Sequence, residues 1–308
     1  MSNKYCLLTN DVETTSIWFN TLRDKTGMKV YEEGMPQLLD LYDKYHIKTT
    51  FFFTGYIATL IPDVVKIAFE RGHEIGSHGY SHEHEDGFDI LSFEEQVNHL
   101  IKSKEIIENI IREKIISFRS PALRVNQFTG KALKEAGFII DSSIASQRFD
   151  MFMSFGSMQK IKWLFAPRCP YQSNNHSLHK KGNNGVYEIP ISALILPYVG
   201  TTMRIFPGIT NFQKRLLNYE NLFHDKPIVF DIHPNELIDE SNEKRTISKR
   251  NNNLIKYFLQ DWLRSHLKIK NLGKNALKLY EDQIKYFKKK EYRFLPLKKY
   301  YEIKKDAA

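Results

Sequence analysis

Thr49-Thr-Phe-Phe-Phe-Thr54, followed by Pro62-Asp-Val-Val-Lys-Ile-Ala-Phe69, Gly72 and Glu74-Ile-Gly-Ser77, is the stretch that decides the architecture. Its first run is aromatic and β-branched, the composition of a buried strand. Pro62 suits the first position of a helix because its fixed φ is already helical, and Gly72 follows the helix end. A second short strand then begins at Glu74. Strand, helix, strand is the unit that joins parallel neighbours, since a tight hairpin cannot. Working outward, Tyr5 to Thr9 reads as a strand, and Met35 to Tyr45 carries Leu38, Leu39, Leu41, Tyr42 and Tyr45 at helical spacing. Ser92 with Glu95 forms a capping box for a helix to about Ile111. Phe118 ends a strand, Gln127 to Ala136 is helical and stopped by Gly137, and Phe138-Ile-Ile leads to Asp141. This alternation predicts an α/β fold with a parallel sheet or barrel.

From Ser146 to Gly185 the periodicity is lost, and an irregular loop that walls or covers a site is expected there. Alternation resumes with Val186-Tyr-Glu-Ile189, a helix near Asn211 to Phe223 and a strand Ile228 to Ile232. A helix around Asn253 to Leu267 and a last strand near Tyr292 to Leu295 follow. The 308 residues read as one domain, 1–308, with a loop insertion at about 146–185 and a basic helical region at about 241–308.

Apolar residues at 42% and charged residues at 26% exclude disordered and fibrous classes. The longest stretch free of charge, Ile189 to Met203, is fifteen residues and broken by two prolines, too short to span a bilayer. The N-terminus runs straight into Cys6-Leu-Leu-Thr9 without an apolar signal region, and Cys6 and Cys169 are the only cysteines. A cytoplasmic chain without a disulfide framework is therefore expected. The net charge of +9 is concentrated: residues 241–308 hold nineteen Lys and Arg against seven Asp and Glu. Such a segment suits phosphate or anionic lipid, or simply forms solvated helix faces. It carries no base-reading motif, so nucleic acid is not the expected partner.

The chemistry gathers at strand ends. Gly76-Ser-His78-Gly-Tyr-Ser-His82 puts two imidazoles four apart directly after a strand, a spacing at which both can bind one Zn²⁺ or similar ion, or serve as ordinary loop histidines. A zincin would need Glu after the first His, where Gly79 stands. Asn10-Asp11-Val12-Glu13 ends the first strand with two acids at i and i+2, on one side of the chain. One can ligate a metal while the other reaches its water. Asp231-Ile-His233-Pro234 adds an acid–base imidazole at a late strand end. Acids and histidines at several strand C-termini are the usual arrangement of a βα-barrel active site.

In this order, Asp-x-Glu, Ser-His-Gly-Tyr-Ser-His, Arg119-Ser-Pro121, Asp141 and His233-Pro234, the chain resembles the polysaccharide deacetylase family, also called the NodB-homology or carbohydrate esterase family 4 domain. The resemblance runs from about Tyr5 to Pro234, with Phe294 to Tyr300 similar to its closing strand and helix. It implies a distorted (β/α)7 barrel and metal-dependent hydrolysis of an N-acyl group, with Zn²⁺ the expected ion and Co²⁺ or Ni²⁺ the alternatives. By position Asp11 matches the base, His78 and His82 the metal-binding histidines, and Arg119 the residue that orients the base. Asp141 matches a further acid tied to that network, and His233 the general acid. Where the family's first motif commonly has two adjacent Asp residues, Val12 follows Asp11; the resemblance then assigns Glu13 to the metal, with Asp11 the alternative ligand. Ala122 stands where many members carry an aromatic residue.

These roles imply removal of an acetyl or formyl group from an amino sugar, with a lipid- or nucleotide-linked glycan precursor suggested by the missing signal and the charge split. The basic C-terminal region is expected to contact anionic lipid peripherally. Hydrolysis of a small cyclic amide, as in allantoinase-like relatives, is the alternative reaction, and a non-catalytic carbohydrate-binding barrel the alternative class. Trp18, Trp163 and Tyr171 are read as local packing before sugar stacking, and Cys6 as core.

Overall fold

The computed structural model describes residues 4–148, 158–244 and 264–306. Seven parallel strands form its centre: β1 (Tyr5–Val12), β2 (Thr50–Phe53), β3 (Glu74–Ser77), β4 (Ser117–Phe118), β5 (Ile140–Asp141), β6 (Tyr187–Glu188) and β7 (Ile228–Ile232). Their spatial order is β7-β1-β2-β3-β4-β5-β6, every neighbour parallel. Helices α1 (Met35–Tyr45), α2 (Pro62–Glu70), α3 (Phe93–Ile111), α4 (Thr129–Glu135) and α5 (Pro207–Glu220) lie along the chain between them. The curl is closed between β6 and β7 without a regular ladder. Ser192 N–H donates to the Val229 carbonyl at 3.1 Å, Val229 N–H donates to Ser192 Oγ at 3.0 Å, and Val199 bridges Asp231. The expected distorted (β/α)7 barrel is what the chain forms.

Every residue of β1 is buried, as a strand covered on both faces must be. Its alternation divides the polar residues. Thr9 and Asp11 project to the barrel interior, where both meet Arg119. Asn10 projects outward, bonding Thr49 and Tyr42 of α1, and Tyr42 in turn meets Tyr280 of α6 (Lys274–Lys289). On β2 the same period sends Phe52 under the Arg119 guanidinium at 4.7 Å, while Phe51 packs edge-on to Tyr42. Phe52 is in register with Gly76 of β3. A Cβ on Gly76 would lie 2.7 Å from the Phe52 ring and from the Ser117 carbonyl, so glycine here makes room for the ring that supports the arginine.

Several boundaries follow the signals named above. Ser92 and Glu95 form the reciprocal capping box of α3, and Pro62 opens α2. Others differ. The helix expected from Asn211 begins at Pro207, whose ring presets the first turn, and it ends at Glu220. The irregular span contains an antiparallel hairpin, Tyr171–Asn174 with Ser177–Lys181, attached to β6. Polar Gln172 and Ser173 hid it, because these strands are held by backbone bonds rather than marked by apolar alternation. The last strand is Arg293–Phe294, along the start of β1, and α7 (Leu297–Asp306) follows it. The helix expected around 253–267 falls mostly outside the described residues; Arg264–Lys268 is helical. Trp163 and Tyr171 are buried, and so is Cys6.

Within the basic C-terminal region, the described residues 264–306 pack along one side of the barrel. Ala276, Tyr280, Ile284 and Phe287 of α6 form a buried stripe at spacings of three and four, which leaves its lysines outward. No helix among the described residues is long and apolar enough to cross a membrane. Gly76→Ala is expected to lower stability by about 1–3 kcal/mol through overpacking against Phe52. A urea midpoint equal to that of the parent would refute the tight contact.

Candidate metal centre and acid–base cluster

Arg119 organises the mouth of the barrel. It follows β4, and its fully buried guanidinium donates from Nη1 to Asp11 Oδ1 at 3.0 Å, Asp231 Oδ1 at 2.6 Å and Thr9 Oγ1 at 2.7 Å. Nε and Nη2 bond the carbonyl and hydroxyl of Ser142 at 2.9 and 2.8 Å. Its own carbonyl accepts from His78 Nδ1 at 2.8 Å, which points His78 Nε2 into the cleft. One residue therefore holds an acid from β1, an acid from β7 and a histidine after β3.

His78 and His82 are brought within 5.8 Å, ring centre to ring centre, by the turn at Gly79. Gly79 has φ +70, and a Cβ would press on Pro121 and Phe88, so glycine is required. Burial pushes His78 down to about 3, against the pull of Glu13, so it is neutral with a lone pair on Nε2. His82 Nε2 lies 3.0 Å from Glu13 Oε2, and the Ala122 N–H is 3.2 Å from the same nitrogen. Ala122 and Leu123 both adopt left-handed φ, +50 and +53, at a cost of about 1–2 kcal/mol each. That conformation turns the backbone of the Arg119-Ser-Pro121 loop toward His82.

Two sets of ligand-capable atoms converge here, Glu13 with His78 and His82, and Asp11 with Asp231 and His233, each within 4.8 Å. Their electrostatics distinguish them. The second set already contains the Arg119 cation, which opposes another positive ion. In the first, Glu13 Oε2 and His78 Nε2 are buried without a hydrogen-bond partner, a costly state unless something satisfies them. Burial raises Glu13, but the neighbouring imidazoles of His82 and His233 outweigh it, so its carboxyl sits below the usual range. Two imidazoles and a carboxylate fit Zn²⁺, Co²⁺ or Ni²⁺.

The acid–base cluster sits beside this set. Asp11 Oδ2 is 3.7 Å from His78 Nε2 and 3.9 Å from His233 Nε2. Burial alone would lower His233, but the Glu236 hydrogen bond and the charges of Asp231 and Asp11 push it up to about 10. Its Nδ1 is 3.3 Å from Glu236 Oε1, and Arg204 Nε holds the other Glu236 oxygen at 2.9 Å. Asp231 is raised to about 6 by burial and by Asp11, partly offset by Arg119.

All seven residues singled out in the sequence lie at the strand C-termini, and six of them meet here. Asp141 stands apart. It accepts from Ser143 Oγ at 2.6 Å and lies in register with Glu188 of β6, and burial raises both carboxyls. It feels Arg119 as a charge, whereas the guanidinium's bonds go to Asp11 and Asp231. The carboxylate that shares Arg119 with Asp11 is thus Asp231, to which the sequence reading gave no role. Its signal was present: Asp231 and His233 are i and i+2 across a strand's C-terminal end, as Asp11 and Glu13 are. Glu236 and Arg204 gave no sequence signal.

A distorted parallel α/β barrel with a metal-capable His–His–Glu set beside a buried acid–imidazole pair is the class that fold and site define. Residues 15–140 match the family model described as polysaccharide deacetylase. The chain is 30% identical to a peptidoglycan deacetylase of Helicobacter pylori over 123 residues, 40% of this chain and 41% of that protein. It is 34% identical to a peptidoglycan-N-acetylglucosamine deacetylase of Bacillus cereus over 139 residues, 43% and 63%. A solved structure from Mycobacterium smegmatis assigned to the polysaccharide deacetylases shares the fold, with a TM-score of 0.56 at 21% identity over 76% of this chain and 78% of that one. The matches thus span about two fifths to two thirds of the length of the curated relatives.

Arg119→Met, which strands two buried carboxylates, is expected to cost about 3–5 kcal/mol in denaturant unfolding at neutral pH; a loss below about 1 kcal/mol would contradict the cluster. A second expectation concerns pH. Because His233 is raised from 6.5 to about 10, its contribution to stability is complete below 6.5 and disappears as pH rises through about 10. Chelator-treated protein should lose stability over that alkaline range and His233→Gln should lose less of it, so parallel profiles would sink the assignment.

Proposed function

We propose that this chain is a metal-dependent hydrolase that removes an N-acyl group, acetyl or formyl, from an amino sugar. The observation that carries the reading is the convergence of Glu13, His78 and His82, two of whose ligand atoms are buried and unpartnered, on a cleft whose other wall is Asp11 and His233. Glu13, His78 and His82 would hold the ion. A divalent metal in that position supplies Lewis acidity toward a carbonyl and makes water easier to deprotonate.

The protein's own groups account for the proton movements. Asp11 is the base: Arg119 holds Oδ1, which leaves Oδ2 facing the cleft to accept a proton from the attacking water. His233 is the acid: it is charged at neutral pH, a quarter exposed, and directed by Glu236 so that Nε2 faces Asp11 across the cleft. It would protonate the departing amine, giving a free amino sugar and a small carboxylic acid. The Ala122 N–H, which donates to His82 Nε2, fixes the ring of that histidine beside Glu13. Asp141 would act at a distance, through its charge on Arg119.

The names of the Helicobacter pylori and Bacillus cereus relatives support an N-acetylated glycan as substrate. We take it as a precursor linked to a lipid or nucleotide phosphate, because the excess positive charge lies in residues 241–308. Elemental analysis and an amine-release screen across acylated amino sugars test the reading. About one Zn²⁺, Co²⁺ or Ni²⁺ per chain is expected, lost in His78→Ala and His82→Ala. Asp11→Asn should keep the metal and release amine about a thousandfold more slowly. Metal retained in both histidine variants would overturn the ligand set, and undiminished turnover in Asp11→Asn would overturn the base.

A further inference from the structure

Outside the cleft, α5 presents an apolar stripe to solvent. Thr210, Gln213, Lys214 and Leu217 face the barrel, while Ile209, Phe212, Leu216 and Tyr219, spaced three and four apart, face outward. Phe212 and Tyr219 are at least 60% exposed, and Phe223, in the turn after the helix, is 67% exposed. Gln213 bonds the carbonyls of Leu194 and Leu196, so the turn carrying Ile195, 66% exposed, lies against the same helix. Scattered exposed apolar residues need no explanation, but a contiguous line of aromatic and aliphatic side chains marks an interaction surface.

The charges around this line indicate the partner. Its two acids are both engaged: Glu220 by Arg168 at 2.8 Å and by Lys226, and Asp225 by Lys304 at 2.6 Å. Arg215 stands exposed among the apolar residues. Tyr292, next after Lys289, Lys290 and Glu291, bonds Asn218 and so brings the basic C-terminal region against α5. A rim of this sign disfavours a second copy of the chain, because a two-fold interface would bring like charges together. It suits an anionic bilayer, into whose headgroup layer a helix with Phe, Leu and Tyr on its outer face can sink.

We propose that α5 and the Phe223 turn form a peripheral membrane-docking surface for anionic phospholipid. The apolar stripe is the inserting element, and the basic C-terminal helices beside it supply attraction. The proposal is independent of the hydrolase reading. Its test is flotation of the full chain with vesicles of phosphatidylcholine alone and of phosphatidylcholine mixed with phosphatidylglycerol. The protein should float with the mixed vesicles and stay behind with the neutral ones. The combined variant Phe212→Gln, Tyr219→Gln, Phe223→Gln should reduce the floating fraction about tenfold with an unchanged thermal melt. Arg215→Glu should reduce it severalfold, and it decides the matter if the triple variant does not fold. Parent protein that remains soluble with both vesicles, or variants that float as well as the parent, would overturn the proposal. So would a dimer that the triple variant dissociates in the absence of vesicle binding, which would mark an interface between copies.

Discussion

One buried cation between two buried carboxylates is the constraint on which the rest of the mouth depends. Arg119 is inaccessible to water, and Asp11 and Asp231 are nearly so. Isolated charges at that depth would be prohibitive, and only their mutual pairing with further hydrogen bonds makes the arrangement tolerable. The bonds reach five segments: β1 through Thr9 and Asp11, β7 through Asp231, Ser142 after β5, His78 after β3, and Phe52 of β2 beneath the guanidinium plane. Strand register is therefore coupled to site geometry: a slip of one residue in β1 would turn Thr9 and Asp11 toward α1 and bring Asn10 to the arginine.

The distribution of positive charge then separates two neighbouring clusters that look alike on paper. Asp11, Asp231 and His233 are balanced by Arg119 and by the imidazolium itself, a network suited to holding and moving protons. Glu13 and neutral His78 have no such internal cation between them, and their unpartnered atoms face the cleft. Glu236 and Arg204 extend the first network outward, since Arg204 reaches the carbonyls of Lys268 and Lys270. The general-acid candidate is thus braced from the C-terminal region of the chain, about two hundred residues beyond the metal-capable histidines.

The basic C-terminal region has two faces. Inward, Tyr280 completes a chain of hydroxyl contacts through Tyr42 to Asn10, which satisfies a polar side chain on the central strand. Outward, its lysines remain in water beside the exposed stripe of α5. Charge composition alone left solvated helix faces and an anionic partner open, and the packing puts the lysines of α6 on its solvated face.

The sequence by itself determined the element types and the placement of most chemistry. Aromatic and β-branched runs, Pro62, the Ser92–Glu95 box and glycines after helices are local signals, because each reflects a backbone preference of a few neighbouring residues. The i, i+2 acids and i, i+4 histidines were legible for the same reason. Only the tertiary structure decided which acid partners Arg119, that Asp141 pairs with Glu188 instead, that Glu236 braces His233, and that a polar hairpin extends the sheet. Those outcomes depend on strand register and on the desolvation of charges by residues far away in the chain, which no local spacing encodes.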